Sequence, residues 1–136
     1  MQTPAPRTLA LRTSAVTYPG STEQIRAVRA ALRPLLRDCP VADEVILCAS
    51  ELAANAALHS RTRLPGGTFT VRASINLGRQ AQIKVEDDGG PWTAGTRDST
   101  GHHGLDIVRA IATDWGIDAN HTTRSIWARF DWPDSP

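Results

Sequence analysis

A glutamate and an asparagine one helical turn apart are the residues of this sequence best placed to do chemistry. Glu51 and Asn55 lie in the run from Ser50 to Ser60, whose other members are mostly alanine and leucine. A spacing of four places both side chains on the same face of a helix. Burying a carboxylate and a carboxamide is costly without a polar partner, so the pattern predicts a polar ligand. A hydrated divalent cation fits, because hard metals take oxygen ligands and retain water.

Two glycine-containing segments stand where other regular elements end or begin. Asp87-Asp88-Gly89-Gly90 follows an alternating strand pattern, and Gly101-His102-His103-Gly104 precedes an amphipathic helix. The start of a helix offers free backbone N–H groups and a positive dipole end, both of which favour phosphate. Either segment alone also fits an ordinary turn, and no Walker-type phosphate loop is present. Together with the Glu51 helix, they are interpreted as parts of a nucleotide site.

Hydrophobic periodicity predicts the elements that must position these residues. Helices are predicted from Ser21, through a capping box with Gln24, and from Pro40 to about His59. A hairpin (68–77 and 81–85), a third helix (105–112) and strands at 15–18, 115–118 and 125–130 complete the pattern. This order favours an α+β domain, a two-layer sandwich with an antiparallel or mixed sheet covered on one face by about three helices. Residues 1–12 are predicted to form a flexible leader, residues 13–136 a single domain, and Trp92 to Thr100 a mobile loop.

Composition narrows the class of protein. With 136 residues and a formal net charge of +1, the chain offers no broad electrostatic attraction for nucleic acid or an anionic membrane. It lacks an apolar run of membrane-spanning length and a signal-peptide pattern, which predicts a cytoplasmic protein. Cys39 and Cys48 are too few for a disulfide framework or a zinc site, and Cys48 is predicted to be a buried free thiol.

In this order and spacing the three segments resemble the GHKL superfamily of ATPases and kinases, which have the Bergerat nucleotide-binding fold. Glu51-x-x-x-Asn55 matches the N-box of that superfamily, and Asp87-Asp88-Gly89 matches the box that holds its adenine-binding aspartate. The segment from Gly101 to Leu105 matches its second glycine box. The chain is most similar to the small bacterial anti-sigma-factor serine/threonine kinases, and the resemblance extends from Tyr18 to Trp132.

The resemblance implies ATP and Mg²⁺ as cofactors and gives each matching residue a role. Asp87 would accept a hydrogen bond from the exocyclic amine of adenine, and Gly89 would let the backbone approach the base. Asn55 would be the Mg²⁺ ligand, and Glu51 would orient or deprotonate the attacking hydroxyl. The residues expected to bind the phosphates are Gly101, Gly104, Leu105 and Ser125. The loop from Trp92 would act as a lid, in which Arg97 meets the γ-phosphate or a partner, or is simply solvated.

Two departures from the family pattern bear on activity. The last strand lacks the glycine that often precedes a threonine there, although Ser125 keeps a hydroxyl at the expected phosphate-contacting position. The second glycine box carries His102 and His103 where basic and small residues are common. Either change is expected to weaken turnover while leaving ATP binding intact. His59, at the end of the N-box helix, is interpreted as a capping or supporting residue.

The resemblance further implies that the protein phosphorylates an anti-sigma-factor antagonist and sequesters a sigma factor, without contacting nucleic acid or a membrane directly. A homodimer is compatible with the sequence. One alternative is a regulatory module that binds nucleotide, or no nucleotide, and has little or no kinase activity. Another is the catalytic domain of a two-component histidine kinase, which is disfavoured because no long helical hairpin is predicted.

Overall fold

Strands with alternating buried and exposed side chains form the framework of the computed structural model, which describes residues 11–89, 104–120 and 122–132. Five strands make one sheet in the order β1-β2-β3-β5-β4, and every neighbouring pair is antiparallel. Their bounds are Leu11–Pro19 for β1, Thr68–Asn76 for β2, Gln80–Asp87 for β3, Asp114–Ala119 for β4 and Arg124–Asp131 for β5. The predicted α+β architecture is confirmed, with the sheet wholly antiparallel between these strands.

Three helices belong to the described residues: α1 (Ile25–Leu35), α2 (Ala42–His59) and α3 (Gly104–Ile111). The second helix is central, since it contacts the other two helices and strands β2, β3 and β5. Val45, Cys48 and Leu52 on α2 are almost fully buried, as their helical spacing predicted. The side chains that α2 turns toward the sheet are therefore held in the core.

The inward faces of β2, β3 and β5 supply the other half of that core. Because side chains alternate along a strand, every second residue points toward the helices. The buried apolar residues in these rows are Phe69, Val71, Ala73 and Ile75 on β2, Ala81, Ile83 and Val85 on β3, and Ile126, Ala128 and Phe130 on β5. The β3 row ends at Asp87 and the β5 row begins at Arg124, both of which are also buried. Two charged residues thus continue hydrophobic rows.

Some element boundaries differ from those predicted. Strand β1 begins at Leu11, so it includes residues expected in the leader, and Arg12 donates hydrogen bonds to the carbonyl oxygens of Leu35 (3.1 Å) and Arg37 (2.9 Å). These bonds satisfy carbonyls at the end of α1, where no helical partner remains. The hydroxyl of Ser21 accepts from the N–H of Glu23 at 3.2 Å and caps a short 3-10 turn before α1, instead of forming the predicted capping box. No helix in the described ranges is long and apolar enough to cross a membrane.

Candidate functional site

Three buried polar side chains meet where α2, β3 and β5 come together. Asn55 on α2 is 5% exposed, Asp87 at the end of β3 is 4% exposed, and Arg124 at the start of β5 is 2% exposed. Asp87 and Arg124 are direct partners in the β3–β5 ladder, so their side chains leave the sheet on the same face. The helix delivers Asn55 to that face from above. The structure therefore brings together two of the predicted site residues and one that was not predicted.

The guanidinium of Arg124 bridges the other two side chains. Its Nη2 and Nε atoms donate to Oδ2 of Asp87 at 2.6 and 3.0 Å, and Nη2 also donates to Oδ1 of Asn55 at 2.8 Å. The second carboxylate oxygen, Oδ1 of Asp87, accepts from the backbone N–H of Gly89 at 2.8 Å. A planar guanidinium suits this arrangement, because its donors form a fixed fork that a carboxylate can accept in pairs.

Burial sets the electrostatics of this cluster. Removal from water raises the pKa of the Asp87 carboxyl above its usual range, while the hydrogen bond and positive charge of Arg124 act in the opposite direction. The N–H of Gly89 also favours the charged form of the carboxylate. Each buried charge is tolerated because the other compensates it, so removal of either partner alone is expected to be strongly destabilising.

The cluster contains the acceptor types that an adenine amine and a magnesium ion would use. An ionised carboxylate has about four lone-pair sites, and the contacts within the described residues occupy two on Oδ2 and one on Oδ1 of Asp87. One site on Oδ1 is left for an amine donor. The amide oxygen of Asn55 is of the ligand type that Mg²⁺ prefers, and Arg124 is its hydrogen-bond donor in this structure. Among residues 11–89, 104–120 and 122–132 no group of three or more His, Cys, Asp or Glu side chains could hold a metal.

The turn after Asp87 is held by its own backbone conformation. Gly89 has φ of +68°, in the left-handed region that glycine adopts without the steric cost of a Cβ atom. Its carbonyl oxygen accepts from the N–H of Arg61 at 2.6 Å, which ties the turn to the segment that follows α2. The sequence assigned Gly89 to close approach by the base. The structure adds that the turn itself requires glycine.

The buried side chain of Thr62 stabilises the same turn through hydrogen bonds. The hydroxyl of Thr62, which is 0% exposed, accepts from the backbone N–H of Asp88 at 2.9 Å and donates to the carbonyl of Thr68 at 2.8 Å. The carboxylate of Asp88 accepts from the N–H of Thr68 at 3.1 Å. Asp88 therefore anchors the start of β2, and Asp87 is the acid that enters the core beside Asn55.

Apart from Ser125, the other predicted site residues lie on α2, on α3 or outside the described residues. Glu51 is half-buried one turn before Asn55 on α2, and its negative charge reaches Cys48, whose pKa burial raises to about 11. Gly104 is the first residue of α3, and Leu105 packs half-buried against the core. Gly101, His102, His103, Arg97 and the predicted lid lie outside the described residues.

The structure does not bring Ser125 to the cluster. It pairs with Glu86 in the β3–β5 ladder, and the alternation of β5 directs its side chain to the sheet face opposite the helices. Its role in phosphate binding stays a prediction without support from its position. Arg124 occupies the inward position instead, and sequence reasoning missed it because β5 was expected to begin one residue later. The signal was present: counting back by two from Phe130, Ala128 and Ile126 reaches Arg124.

The antiparallel sheet with its three helices is the fold of GHKL ATPase domains. The family model of the histidine kinase-like ATPase domain matches residues 18–130, and the chain belongs to this family. Membership supports ATP binding by this domain. No curated protein matches the chain.

Solved structures of similar fold include histidine kinase domains. The blue-light activated histidine kinase of Erythrobacter litoralis EL346 matches with 21% identity and a TM-score of 0.53, over 66% of this chain and 30% of that one. A structure of its histidine kinase domain matches with 16% identity and a TM-score of 0.54, over 82% of this chain and 60% of that one. The present chain thus spans less than two thirds of either relative, and the likeness concerns the fold.

Proposed function

We propose that this chain binds Mg·ATP and transfers the γ-phosphoryl group to a serine or threonine hydroxyl of an anti-sigma-factor antagonist. In the same proposal it sequesters a sigma factor in the cytoplasm. The observation that carries the nucleotide-binding part is that Asp87 and Asn55 face the same side of the sheet, in a domain of the histidine kinase-like ATPase family. The partners and the serine/threonine specificity are supported only by the resemblance to anti-sigma-factor kinases.

Asp87 would select adenine. Among the described contacts its Oδ1 atom accepts from the N–H of Gly89, which leaves one lone pair for the exocyclic amine of the base. Guanine carries a carbonyl oxygen at that position, which would face the carboxylate without a proton between them. An unsatisfied buried polar group costs about 1–3 kcal/mol, enough to favour ATP over GTP by one to two orders of magnitude.

Asn55 and Glu51 would serve the transfer step from successive turns of α2. Mg²⁺ bound at Asn55 would neutralise phosphate charge, which is the main requirement of phosphoryl transfer. The partner hydroxyl oxygen forms a bond to the γ-phosphorus while the bond to the bridging oxygen breaks, and ADP leaves. Glu51 would take the hydroxyl proton, and its half-exposed position allows a partner side chain to reach it.

The proposed regulation follows from the charge of the product. A phosphoserine or phosphothreonine adds about −1.5 to −2 charges at neutral pH, which disfavours docking onto a surface that accepted the neutral side chain. The phosphorylated antagonist would then leave, and the same surface would become accessible to the sigma factor.

A second candidate is a regulatory module with little or no transfer activity. The position of Arg124 favours this module, because its guanidinium already bonds both Asp87 and Asn55, the residues proposed to bind adenine and Mg²⁺. The catalytic domain of a histidine kinase is a third candidate, favoured by the solved structures that share the fold.

One experiment separates these candidates. Calorimetric titration with ATP, ADP and GTP, with and without Mg²⁺, is followed by transfer from γ-labelled ATP to partners captured from the source cell. Acid-stable label on a partner serine or threonine supports the proposal. ATP binding without transfer indicates the module, acid-labile label indicates a phosphohistidine, and no nucleotide binding by the folded chain would overturn the proposal.

A further inference from the structure

We propose that Arg124 competes with Mg²⁺ for the side-chain oxygen of Asn55 and thereby sets how strongly ATP binding depends on magnesium. This inference rests on the proposed function, because it concerns the same nucleotide site. Its starting point is the sharing of one nitrogen atom, Nη2 of Arg124, between Asp87 and Asn55.

The shared nitrogen fixes the two acceptors close together. Oδ2 of Asp87 and Oδ1 of Asn55 lie 2.6 and 2.8 Å from Nη2, so their separation cannot exceed those two hydrogen bonds laid end to end. In ATP the amine of adenine and the phosphate oxygens lie at opposite ends of the nucleoside, with the purine and ribose between them. Oδ1 of Asp87, which is left for adenine, belongs to the same carboxylate as the bridged Oδ2. A nucleotide that reaches Asp87 at one end and Asn55 at the other is therefore expected to need these side chains farther apart, which requires that one contact of Arg124 opens.

The contact with Asn55 is the one expected to open. The guanidinium makes two hydrogen bonds to the Asp87 carboxylate, at 2.6 and 3.0 Å, and a single one to the neutral amide of Asn55, at 2.8 Å. Paired, charge-assisted hydrogen bonds are stronger than a single bond to a neutral acceptor. Arg124 can thus keep Oδ2 of Asp87, leaving Oδ1 for adenine, while it gives up Asn55.

Charge makes this exchange a competition. A guanidinium and a divalent cation bound to the same amide oxygen repel each other in a site that excludes water. The guanidinium cannot relieve this repulsion by losing its proton, because arginine stays charged in proteins. Mg²⁺ must therefore displace Arg124 from Asn55, so Arg124 competes with the metal for the amide oxygen.

The test substitutes Arg124→Lys, which keeps a positive charge beside Asp87 but replaces the planar fork by a single ammonium. ATP affinity is measured by calorimetry with saturating Mg²⁺ and with a chelator. In Arg124→Lys we expect ATP to bind at least about tenfold more tightly with Mg²⁺, a factor worth about 1.4 kcal/mol, and within about threefold of the native value with the chelator. The control is Arg72→Lys, an exposed arginine paired with Glu86 on the other face of the sheet.

Each outcome of this titration supports or contradicts the competition between Arg124 and Mg²⁺. Measurable ATP binding with the same magnesium dependence in Arg124→Lys and the native chain overturns the competition and leaves the proposed function standing. Weaker binding only in Arg124→Lys also overturns it, since Arg124 would then support the ligand. If neither folded protein binds ATP, the proposed function fails and the competition fails with it.

A measurement on the native chain covers the case in which Arg124→Lys does not fold. The ¹⁵N signals of the Arg124 guanidinium and the Asn55 side-chain amide are followed while Mg·ATP, or ATP with a chelator, is added. Both signals are expected to shift with Mg·ATP, and the Asn55 signal to move much less with the chelator. Signals that stay in place at saturating Mg·ATP would show that the proposal is wrong.

Discussion

Asp87 and Arg124 stand opposite each other in the ladder between β3 and β5, one at the last residue of its strand and the other at the first. Both side chains continue rows of buried apolar residues, and their shortest contact is 2.6 Å. An ion pair in such a place is costly to form and costly to break, because each charge has lost its water. The candidate site is therefore built into the end of the sheet, on the same structural elements that form the core.

Removing the amide of Asn55 tests the metal-binding role. Asn55→Ala should abolish measurable Mg·ATP binding, because the only predicted protein ligand of Mg²⁺ is lost, while alanine is a good helix former and α2 should persist. Calorimetry gives the affinity and circular dichroism the fold. Asn76→Ala, at the end of β2 and away from the cluster, is the control. Undiminished binding in Asn55→Ala would refute the assignment.

Removing the charge of Glu51 tests whether this residue acts in phosphoryl transfer rather than in ATP binding. Glu51→Gln should slow phosphoryl transfer about 10²- to 10⁴-fold, the usual contribution of a general base, and change ATP affinity much less. Single-turnover transfer to the captured partner gives the rate. Glu44→Gln, an exposed acid in the first turn of the same helix, should leave the rate unchanged. If Glu51→Gln transfers at the native rate, Glu51 is not the base.

Breaking the buried ion pair should cost more than breaking an exposed one. Asp87→Asn leaves the charge of Arg124 buried without its carboxylate, and we expect the free energy of unfolding to fall by about 3–5 kcal/mol. Urea denaturation measures the loss. Glu86→Gln, which breaks the exposed pair with Arg72 on the other face of the sheet, should cost less than about 1 kcal/mol. Equal losses in the two variants would contradict the burial argument.

Thr62 should stabilise the turn that carries Asp87. Thr62→Val removes a hydroxyl that bonds both the N–H of Asp88 and the carbonyl of Thr68, and we expect a loss of about 1–3 kcal/mol from the unsatisfied backbone groups. Thr70→Val is the matched control, because its hydroxyl bonds only the exposed hydroxyl of Thr17 among the described contacts. Faster hydrogen exchange at the Asp88 and Gly89 amides should accompany the loss in Thr62→Val and not in Thr70→Val.

Cys48 should make stability fall at alkaline pH. Burial raises its pKa from the usual 9.0 to about 11, and the charges of Glu51 and Glu44 add to the rise. Between these values the folded chain binds the thiol proton more tightly than the unfolded chain does. The free energy of unfolding should therefore drop as pH rises through this window, by at most about 1.4 kcal/mol per pH unit. Urea denaturation of the native chain and Cys48→Ala at several pH values isolates the effect, which would be disproved by parallel pH profiles.

Much of the fold could be predicted because its signals are local. The alternation around Ile75 and Ile83 assigned two strands and their buried faces, and the spacing of Val45, Cys48 and Leu52 assigned the buried side of α2. Element ends were less secure: β5 begins one residue earlier than expected, at Arg124, and the alternation of the strand simply continues to that residue. The added residue is the inward-facing Arg124, whereas Ser125 faces outward because it alternates with Ile126.

By itself, the sequence determined that Glu51 and Asn55 share a helical face and that an aspartate and a glycine follow a buried strand, because helix and strand periods are properties of neighbouring residues. Only the tertiary structure decided that β5 inserts between β3 and β4. This order brings Arg124 to Asp87, 37 residues away, and to Asn55, 69 residues away. Pairing over such distances depends on how whole faces of the helices and the sheet pack. No local sequence pattern therefore predicts that one arginine contacts both Asp87 and Asn55.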